Sequence, residues 1–459
     1  RRARWAEEDS LPDAAALSAW IDAAPSETGI TAERGDAAVL PDGAPRVAAV
    51  FEKPFVAHAS IGVCCALARF DGDALEVVAH CQGPYNLRAD LALAFGLPPE
   101  RVTVRHAEGA GCYGHNGADD VAFEACVIAR ETPGRWVRLQ WSRAEELAAA
   151  PFSTAMRIEV EAALGADGEI ALWRTRIAGN GHSSRPGRSK VPVFGAATLL
   201  DPPFPPSVAI NMPLPVGGGA ERNAVPGYRV GALKVVTRRL TEMPVRASAL
   251  RGLGAIGNVW AIESVLDELA ALAGEDPLAF RLARLEDARA AAVLAKAGEM
   301  SGWAGRERVD GVGVGCGVAR YKGTGAWCAA VAEIVAEAEV RCTRLWLAAD
   351  IGEAVNPDGA ANQLEGGAIQ AVSIALKEQV RFDRRRIGSD SWDSYPILRF
   401  PEVPEVKVAL MERPADPPLG AGEASLGPVV GAIANAIGDA LGVRLRRMPF
   451  TAETIAAAM

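Results

Sequence analysis

Several features are rare or absent in this sequence, and each absence excludes a class of protein. No stretch of about 18 uninterrupted apolar residues occurs, so we expect no membrane-spanning helix. No dense run of Lys and Arg is present and the formal net charge is −9, which argues against nucleic acid as a partner. The eight cysteines include no Cys-x-x-Cys pair and no zinc or iron–sulfur spacing, so we expect most of them to be buried, reduced thiols.

The N-terminal segment has neither a starting Met nor an apolar signal region. We therefore expect residues 1–45 to be the tail of a truncated upstream domain. Within this tail, the apolar spacing predicts a short amphipathic helix over residues 11–24 and then a polar linker to about Gly43. A cytoplasmic location is expected, with the periplasm as the alternative if the missing part carried an export signal.

Glycine and proline are abundant, at 47 and 30 residues without a period, which predicts many turns. A strand, a polar or glycine-rich corner and a helix follow one another four times. The corners lie at residues 81–85, 109–118, 350–357 and 419–428. Each brings backbone N–H groups and a helix N-terminus to one point, which favours anions. The four together favour one large, oxygen-rich ligand, although each alone is typical of an ordinary connection.

The remaining patterns complete an α+β fold. They predict an alternating hairpin at 157–178 with a turn at 166–169, a long ordered loop at 186–227, a helix after residues 250–254, and a helical stretch from Pro277 to about Lys296. A turn-rich segment near 296–310 indicates a boundary. It gives a first domain of residues 46–300 and a second of residues 301–459.

The loop Gly109-Ala-Gly-Cys-Tyr-Gly-His-Asn-Gly-Ala-Asp-Asp allows several interpretations. Its first half spells Gly-x-Gly-x-x-Gly, as in dinucleotide-binding folds. Those folds need the helix to begin within the glycines and an acidic ribose contact about 20 residues later. Here the helix is predicted to begin at about Asp119, and Glu131 falls at a helix end. The spacing of the potential metal ligands matches no standard site: Cys112, His115, Asp119 and Asp120. The two aspartates are interpreted as the cap of the helix.

The fourth corner contains an acidic residue, Glu423, between Gly422 and Ala424 in a turn before a helix. A carboxylate held there by glycine-rich backbone, if buried, can act as a general base near neutral pH. A solvated loop glutamate is the alternative interpretation.

Taken in order, these corners resemble the molybdenum-binding subunit of the xanthine dehydrogenase/aldehyde oxidase family. The similarity runs from about Glu52 through nearly the whole remaining chain. The matching segments are 81–84, 109–114, 250–254, 362–367 and 422–424. The amino-acid sequence of the glycine-rich loop is most similar to that of bacterial members that oxidise nicotinate or isoquinoline.

The resemblance implies a role for each segment. Gln82 would hydrogen-bond an oxo ligand of molybdenum, Arg251 would lie close to the metal, and Glu423 would be the catalytic base. The metal would be held through the pterin, without a side-chain ligand. The implied cofactor-binding residues are Gln82, Gly83, Gly109, Ala110, Gly111, Cys112, Tyr113, Gly114, Arg251, Asn362, Gln363 and Gly422.

Departures from the family concern the substrate. Cys112-Tyr113 replaces Phe-Gly beside the metal, and Asn116 stands near the place of an acidic substrate contact in xanthine enzymes. Xanthine is therefore an unsuitable substrate. A carboxylate-bearing compound such as nicotinate would suit Arg222 or Arg399, with Tyr113 as a further substrate contact.

The resemblance implies a hydroxylase subunit that oxidises an N-heteroaromatic compound or an aldehyde with oxygen from water. Its cofactor would be molybdenum–molybdopterin cytosine dinucleotide, lying between two elongated molybdopterin-binding domains of mixed sheets and helices. Electrons would leave through iron–sulfur clusters on a small partner subunit, with a cytochrome c as one acceptor. Two alternatives stay open: an NAD(P)-dependent dehydrogenase that uses the loop at 109–114, and a non-catalytic subunit that binds a partner.

Overall fold

The computed structural model describes residues 8–39 and 43–459, and in these residues it contains thirteen strands and ten helices. The strands are β1 Ser26–Arg34, β2 Arg46–Lys53, β3 Cys65–Asp71, β4 Ala74–Ala79, β5 Val102–His106, β6 Val137–Gln140, β7 Met156–Leu164, β8 Ile170–Asn180, β9 Ala232–Leu240, β10 Val312–Arg320, β11 Trp327–Ala336, β12 Val340–Asp350 and β13 Glu405–Leu410. The helices are α1 Leu17–Ala23, α2 Pro84–Phe95, α3 Ala118–Arg130, α4 Arg143–Ala149, α5 Ala255–Ala273, α6 Pro277–Arg284, α7 Ala288–Ser301, α8 Pro357–Leu376, α9 Leu426–Leu441 and α10 Ala452–Ala456. In the same part of the chain, no helix is long and apolar enough to cross a membrane.

The strands form three mixed sheets. Their orders are β1-β9-β8-β7-β2, β10-β11-β12-β13 and β5-β4-β3-β6. Each sheet contains one parallel pair, namely β8–β9, β12–β13 and β4–β5, and its other pairs are antiparallel. The α+β prediction of mixed sheets and helices is therefore confirmed.

The parallel pairs explain why the predicted corners come together. Strands β4 and β5 are parallel neighbours, and the corners that follow them lead into α2 and α3. Strands β12 and β13 are also parallel neighbours, and the corners that follow them lead into α8 and α9. Because neighbouring parallel strands end at the same edge of a sheet, each pair of corners shares one edge.

Helix α5 lies at the centre of the largest hydrophobic core. It is buried along most of its length and packs against β2 and β7 on one side and against β10 and α9 on the other. The five-stranded sheet and the sheet from β10 to β13 consequently share one continuous core. The sheet β5-β4-β3-β6 has a separate core, which it forms with α2 and α3.

A buried ion pair fixes α6 against α5. The Arg281 Nε donates to Glu263 Oε2 over 2.8 Å, and the Tyr228 hydroxyl donates to Glu263 Oε1 over 2.8 Å. Arg281 and Glu263 are both fully buried. Burial raises the pKa of Glu263, and the Arg281 charge opposes that shift. Since either charge without its partner would be costly in this position, the pair holds the two helices in one arrangement.

Strand β10 and helix α9 approach each other at backbone distance. A Cβ atom on Gly315 would lie 2.3 Å from the carbonyl oxygen of Ala432, closer than any side chain tolerates. The sequence Val-Gly-Val-Gly-Cys-Gly at 312–317 therefore places glycine on the face of β10 that meets the helix.

Several sequence predictions are confirmed. The hairpin at 157–178 is β7–β8 with its turn at 166–169, and the stretch 186–227 is a loop that contains only two short 3₁₀ turns. Gly96 and Gly442 end α2 and α9 in the left-handed conformation.

Other sequence predictions are wrong. The stretch predicted to be a polar linker to Gly43 contains β1, which pairs with β9. This is a mostly exposed edge strand whose glutamates form ion pairs with β9, so it shows no apolar alternation. The helix predicted over 11–24 is shorter and begins at Leu17. The helical stretch after Pro277 is broken, because Asp287 caps a new helix, α7.

The domain boundaries stay predictions. The division at 45/46 falls just before β2, the division at 300/301 falls at the last residue of α7, and β10 begins at Val312. Residues 1–7 and 40–42 of the expected N-terminal tail lie outside the described residues.

Candidate functional site

The glycine-rich loop between β5 and α3 is fixed against the segment that precedes α5. The His115 N–H donates to the Ala249 carbonyl over 2.7 Å, and the Arg251 N–H donates to the Tyr113 carbonyl over 2.6 Å. Gly114 lies between these two bonds with φ of 137°, and a Cβ atom there would be 2.0 Å from the Ala249 oxygen. Only glycine fits this crossing, so the second and third matching segments are brought together by backbone alone.

The same loop presents unused hydrogen-bond donors. Over residues 8–39 and 43–459, no acceptor is found for the N–H groups of residues 109–114. These are Gly109, Ala110, Gly111, Cys112, Tyr113 and Gly114. The first corner adds a side chain, because Gln82 Nε2 donates to Cys112 Sγ over 2.9 Å. Gly83 is the next residue and precedes α2.

Arg251 connects this loop to the second half of the chain. Its Nε donates to the Gly422 carbonyl, and its Nη2 donates to the Gln363 carbonyl over 2.7 Å. Its Nη1 lies 3.4 Å from Gln370 Oε1. Burial lowers the pKa of Arg251, and the nearby Glu423 carboxylate opposes that shift. The guanidinium therefore holds α8 and the fourth corner in place.

Glu423 is half-buried in the turn before α9, so the burial assumed from the sequence is only partial. Its Oε1 accepts a hydrogen bond from the Gly252 N–H over 3.0 Å. The side chain of Tyr321 also lies within electrostatic range of this carboxylate. Burial, and next the Glu423 charge, raise the pKa of Tyr321, so that its hydroxyl stays protonated. No sequence pattern pointed to Tyr321, which stands in the turn after β10.

The two arginines expected to bind substrate lie in different places. Arg222 is buried, and it donates to the carbonyls of Gly217 and Gly218 over 2.8 Å each and to the Tyr321 hydroxyl over 2.5 Å. Three of its five N–H donors are therefore used by the protein, and its hydrogen bond to a side chain of the site goes to Tyr321.

Arg399 is exposed and lies away from the other candidates. Its neighbour Leu398 donates from its N–H to Ser373 Oγ, in the last turn of α8. Gln363 lies ten residues earlier in that helix, which corresponds to about 15 Å along the helix axis. Asn362 is exposed next to Gln363, and its Nδ2 lies 3.4 Å from Asp358 Oδ2. The structure brings Gln363 to the site through Arg251 but does not bring Arg399 there.

The polar residues after the loop have structural contacts. His115 Nε2 is 3.0 Å from Asp119 Oδ2, and its Nδ1 is 2.8 Å from Ser248 Oγ. Asp120 accepts from the Gly195 N–H over 2.8 Å. Neither aspartate caps α3, contrary to the sequence interpretation, since the N-cap position is Gly117 and makes no side-chain hydrogen bond. In the described part of the chain, no group of three or more metal-binding side chains is found.

The cysteines fit the sequence prediction. All eight are free thiols, and six of them are buried. Cys112 is one of the two half-buried thiols, and it faces Gln82.

The residues that converge here suit an anionic, oxygen-rich group. A row of backbone N–H donors without acceptors lies beside the guanidinium of Arg251 and the amide of Gln82. Backbone amides and guanidinium groups are the donors that bind phosphate and oxo groups. Beside these donors lies the carboxylate of Glu423, which is positioned by the Gly252 N–H.

Comparison with protein families gives two matches on the chain. The family described as molybdopterin cofactor-binding domain matches residues 22–204, and a second family with the same description matches residues 284–404. The matched ranges include the segments of Gln82 and the glycine-rich loop in the first case and of Gln363 in the second.

Two curated relatives match over most of the chain. A nicotinate dehydrogenase subunit of Pseudomonas putida is 36% identical over 98% of this chain and 38% of its own length. The beta subunit of isoquinoline 1-oxidoreductase of Brevundimonas diminuta is 31% identical over 83% of this chain and 46% of its own length. The chain thus spans less than half the length of these relatives.

Solved structures share the fold at low sequence identity. Quinoline 2-oxidoreductase from Pseudomonas putida 86 superposes with a TM-score of 0.77 at 16% identity, covering 94% of this chain and 78% of that one. Aldehyde oxidoreductase from Desulfovibrio gigas superposes with a TM-score of 0.75 at 15% identity, covering 95% of this chain and 63% of that one. With these matches, the chain belongs to the molybdopterin-binding proteins of the xanthine dehydrogenase family.

Proposed function

We propose that the chain is part of a molybdenum hydroxylase that oxidises a nicotinate-like N-heteroaromatic compound, or an aldehyde, with oxygen from water. The observation that carries this proposal is the convergence of Gln82, Arg251 and Glu423 with the free amides of the glycine-rich loop. The names of the relatives, a nicotinate dehydrogenase and an isoquinoline oxidoreductase, support the substrate class.

The proposed cofactor is molybdopterin in its cytosine dinucleotide form with bound molybdenum. When bound, this group supplies the redox centre that takes electrons from the substrate. The residues proposed to hold it are Gln82, Gly83, Gly109, Ala110, Gly111, Cys112, Tyr113, Gly114, Arg251, Asn362, Gln363 and Gly422. Their contribution is a set of donors that neutralise the negative charge of its oxygens.

The chain's own residues move a proton and position the substrate. Glu423, held at Oε1 by the Gly252 N–H, takes the proton of the attacking water with its carboxylate. A positioned general base of this kind contributes about 10²–10⁴ in rate. The amide of Gln82 and the guanidinium of Arg251 stabilise the charge that develops beside the electron-poor carbon. Tyr113 is proposed to border the substrate.

The proposed partners are a small subunit with iron–sulfur clusters and, further along, a cytochrome c acceptor. A cytoplasmic location is proposed, with the periplasm as the alternative. These proposals rest on the family, in which the relatives are named as subunits.

The dinucleotide-binding alternative lacks structural support. Helix α3 begins at Ala118, beyond the last glycine of the Gly-x-Gly-x-x-Gly pattern at Gly114. Metal and acid-released nucleotide, measured on the purified full-length protein, separate the three candidates. Molybdenum with cytidine monophosphate supports the hydroxylase, and nicotinamide nucleotide supports an NAD(P)-dependent dehydrogenase. The absence of both from the purified protein supports a non-catalytic subunit.

The Glu423→Gln variant tests the catalytic proposal. We expect turnover to be abolished while molybdenum stays bound, because the amide keeps the shape of the carboxylate but cannot take a proton. Glu412→Gln, an exposed glutamate on the same connection between β13 and α9, is the matched control and should keep wild-type turnover. Near-normal turnover in Glu423→Gln would show that the base lies elsewhere.

A further inference from the structure

Arg185 is a half-buried cation whose side chain makes no direct polar contact in the described part of the chain. Within residues 8–39 and 43–459, its guanidinium donates no hydrogen bond and forms no ion pair. The described arginines of the site differ in this respect, since Arg251 and Arg222 donate to carbonyl groups. A guanidinium carries five N–H donors, and leaving them unused in a partly desolvated place is unfavourable.

The backbone of Arg185 is fixed beside the glycine-rich loop. The preceding residue, Ser184, is held by two hydrogen bonds: its N–H donates to Ser248 Oγ over 3.0 Å, and its hydroxyl donates to the Ala247 carbonyl over 3.0 Å. Ser248 Oγ is in turn 2.8 Å from His115 Nδ1. Arg185 therefore stands on a rigid support that is shared with the loop at 109–117.

The charges that act on the Arg185 side chain come from residues of the candidate site and of its own loop. Burial lowers the pKa of Arg185, and the carboxylates of Asp119 and Glu423 oppose this shift, as does the nearby side chain of Cys112. Asp119 is already within 3.0 Å of His115. The positive charge of Arg188 repels that of Arg185 and lowers the pKa of Arg185 further. The guanidinium thus lies within electrostatic range of Cys112 and of the proposed base, and neither of them is bonded to it.

The other two arginines considered for a substrate carboxylate are unsuitable for physical reasons. The donors of Arg222 are used by the carbonyls of Gly217 and Gly218 and by Tyr321. Arg399 lies near the far end of α8. Arg185 combines charge, unused donors and closeness to Glu423, which an anion-binding group at this site requires.

We infer that Arg185 binds the carboxylate of the substrate, so that the enzyme takes carboxylate-bearing heteroaromatic compounds. The inference rests on the proposed function, whose substrate class it narrows. A carboxylate on Arg185 would hold the ring between the guanidinium and Glu423, with the ring carbon that is oxidised turned towards the base. Uncharged rings and simple aldehydes would lack this anchor.

Binding measured by calorimetry on the full-length, cofactor-loaded protein tests the inference. The probes are nicotinate, its uncharged amide nicotinamide, and benzoate, which has the carboxylate but no ring nitrogen. We expect Arg185→Met to weaken the binding of nicotinate and of benzoate about ten- to hundredfold, which is the loss of affinity typical of a hydrogen-bonded charge pair. Nicotinamide binding should change less than about twofold. Arg185→Lys should restore part of the affinity.

Lys190→Met is the matched control, because Lys190 is exposed on the same loop, is not among the main charges that act on Arg185, and its replacement should leave all three affinities unchanged. Unchanged nicotinate binding in Arg185→Met, or an equal loss for nicotinate and nicotinamide, would overturn the inference. Loss of molybdenum or bound cytidine nucleotide from Arg185→Met would also overturn it, because the arginine would then hold the cofactor.

The two proposals fail in different ways. If the wild type turns over aldehydes but binds neither carboxylate, the hydroxylase proposal stands and the role of Arg185 is wrong. If carboxylates bind in an Arg185-dependent way but Glu423→Gln keeps its turnover, Arg185 is an anion anchor and the catalytic proposal is wrong.

Discussion

Replacing Gly114 by alanine should empty the cofactor site of an otherwise folded protein. The new Cβ atom would lie 2.0 Å from the Ala249 oxygen, and ordinary contact begins at 3.4 Å. The loop must therefore move away from the segment before α5 or adopt another φ. Either movement breaks the 2.7 Å bond from the His115 N–H to the same oxygen. Strain at such a φ costs on the order of 1–3 kcal/mol, and the lost hydrogen bond about 1 kcal/mol.

The displacement matters more than the cost in stability. The crossing at Gly114 fixes where the free amides of residues 109–114 lie. A shift of about 1 Å in an element that positions a reactive group can lower activity about a hundredfold. We expect the molybdenum content, measured by mass spectrometry, and the amount of acid-released cytidine nucleotide both to fall at least about tenfold. A tenfold fall corresponds to a loss of about 1.4 kcal/mol in binding free energy. Circular dichroism should show a folded protein.

Gly134→Ala is the matched control for this experiment. Gly134 also has a positive φ, of 75°, but a Cβ atom there meets nothing within 4 Å. This variant should lose roughly 1 kcal/mol of stability from the backbone conformation alone and keep its cofactor. The reasoning is refuted if Gly114→Ala keeps wild-type molybdenum content, or if Gly134→Ala loses as much.

Three further predictions concern single buried groups. Tyr321→Phe removes a hydroxyl within electrostatic range of Glu423, so kcat should fall about tenfold or more at unchanged molybdenum content, and an unchanged kcat would contradict this. Burial raises the pKa of Glu378 to about 7, so the native state binds an extra proton between pH 4.5 and 7. Loss of this proton should lower stability by roughly 3 kcal/mol as pH rises through that window. In urea unfolding, the fall in stability from pH 5 to pH 8 should therefore be roughly 3 kcal/mol smaller for Glu378→Gln than for the wild type, in which Glu146, whose pKa burial also raises to about 7, titrates as it does in the variant. Arg281→Met should cost about 3–5 kcal/mol in the same assay, since it leaves Glu263 buried and unpaired, and a loss below about 1 kcal/mol would contradict this.

Local patterns in the sequence predict much of the fold. The corners and their helices follow from apolar spacing and from closing glycines such as Gly96, because those signals act within one element. The edge strand β1 could not be found in this way. It is paired with a strand about 200 residues later and held by ion pairs, so its own pattern is polar.

The candidate site was predictable only in part for the same reason. Gln82, Arg251 and Glu423 lie within short motifs, whereas the contacts of Tyr321 and Arg185 depend on how distant loops fold together. For Arg222 the sequence suggested a contact that the structure does not support, since its charge pointed to a substrate carboxylate. The structure surrounds it with carbonyl groups that no sequence spacing reveals.

The close contact between Gly315 of β10 and α9 constrains how enzymes of this kind can diverge. Because Gly315 places no side chain between strand and helix at this point, α9 cannot approach β10 further, and Leu426, the first residue of α9, follows Glu423 by three positions. The proposed base is therefore carried by a part of the protein that mutation cannot easily shift. New substrate preferences are expected to arise in the loops around Cys112 and Arg185, whose side chains can change without moving the helix.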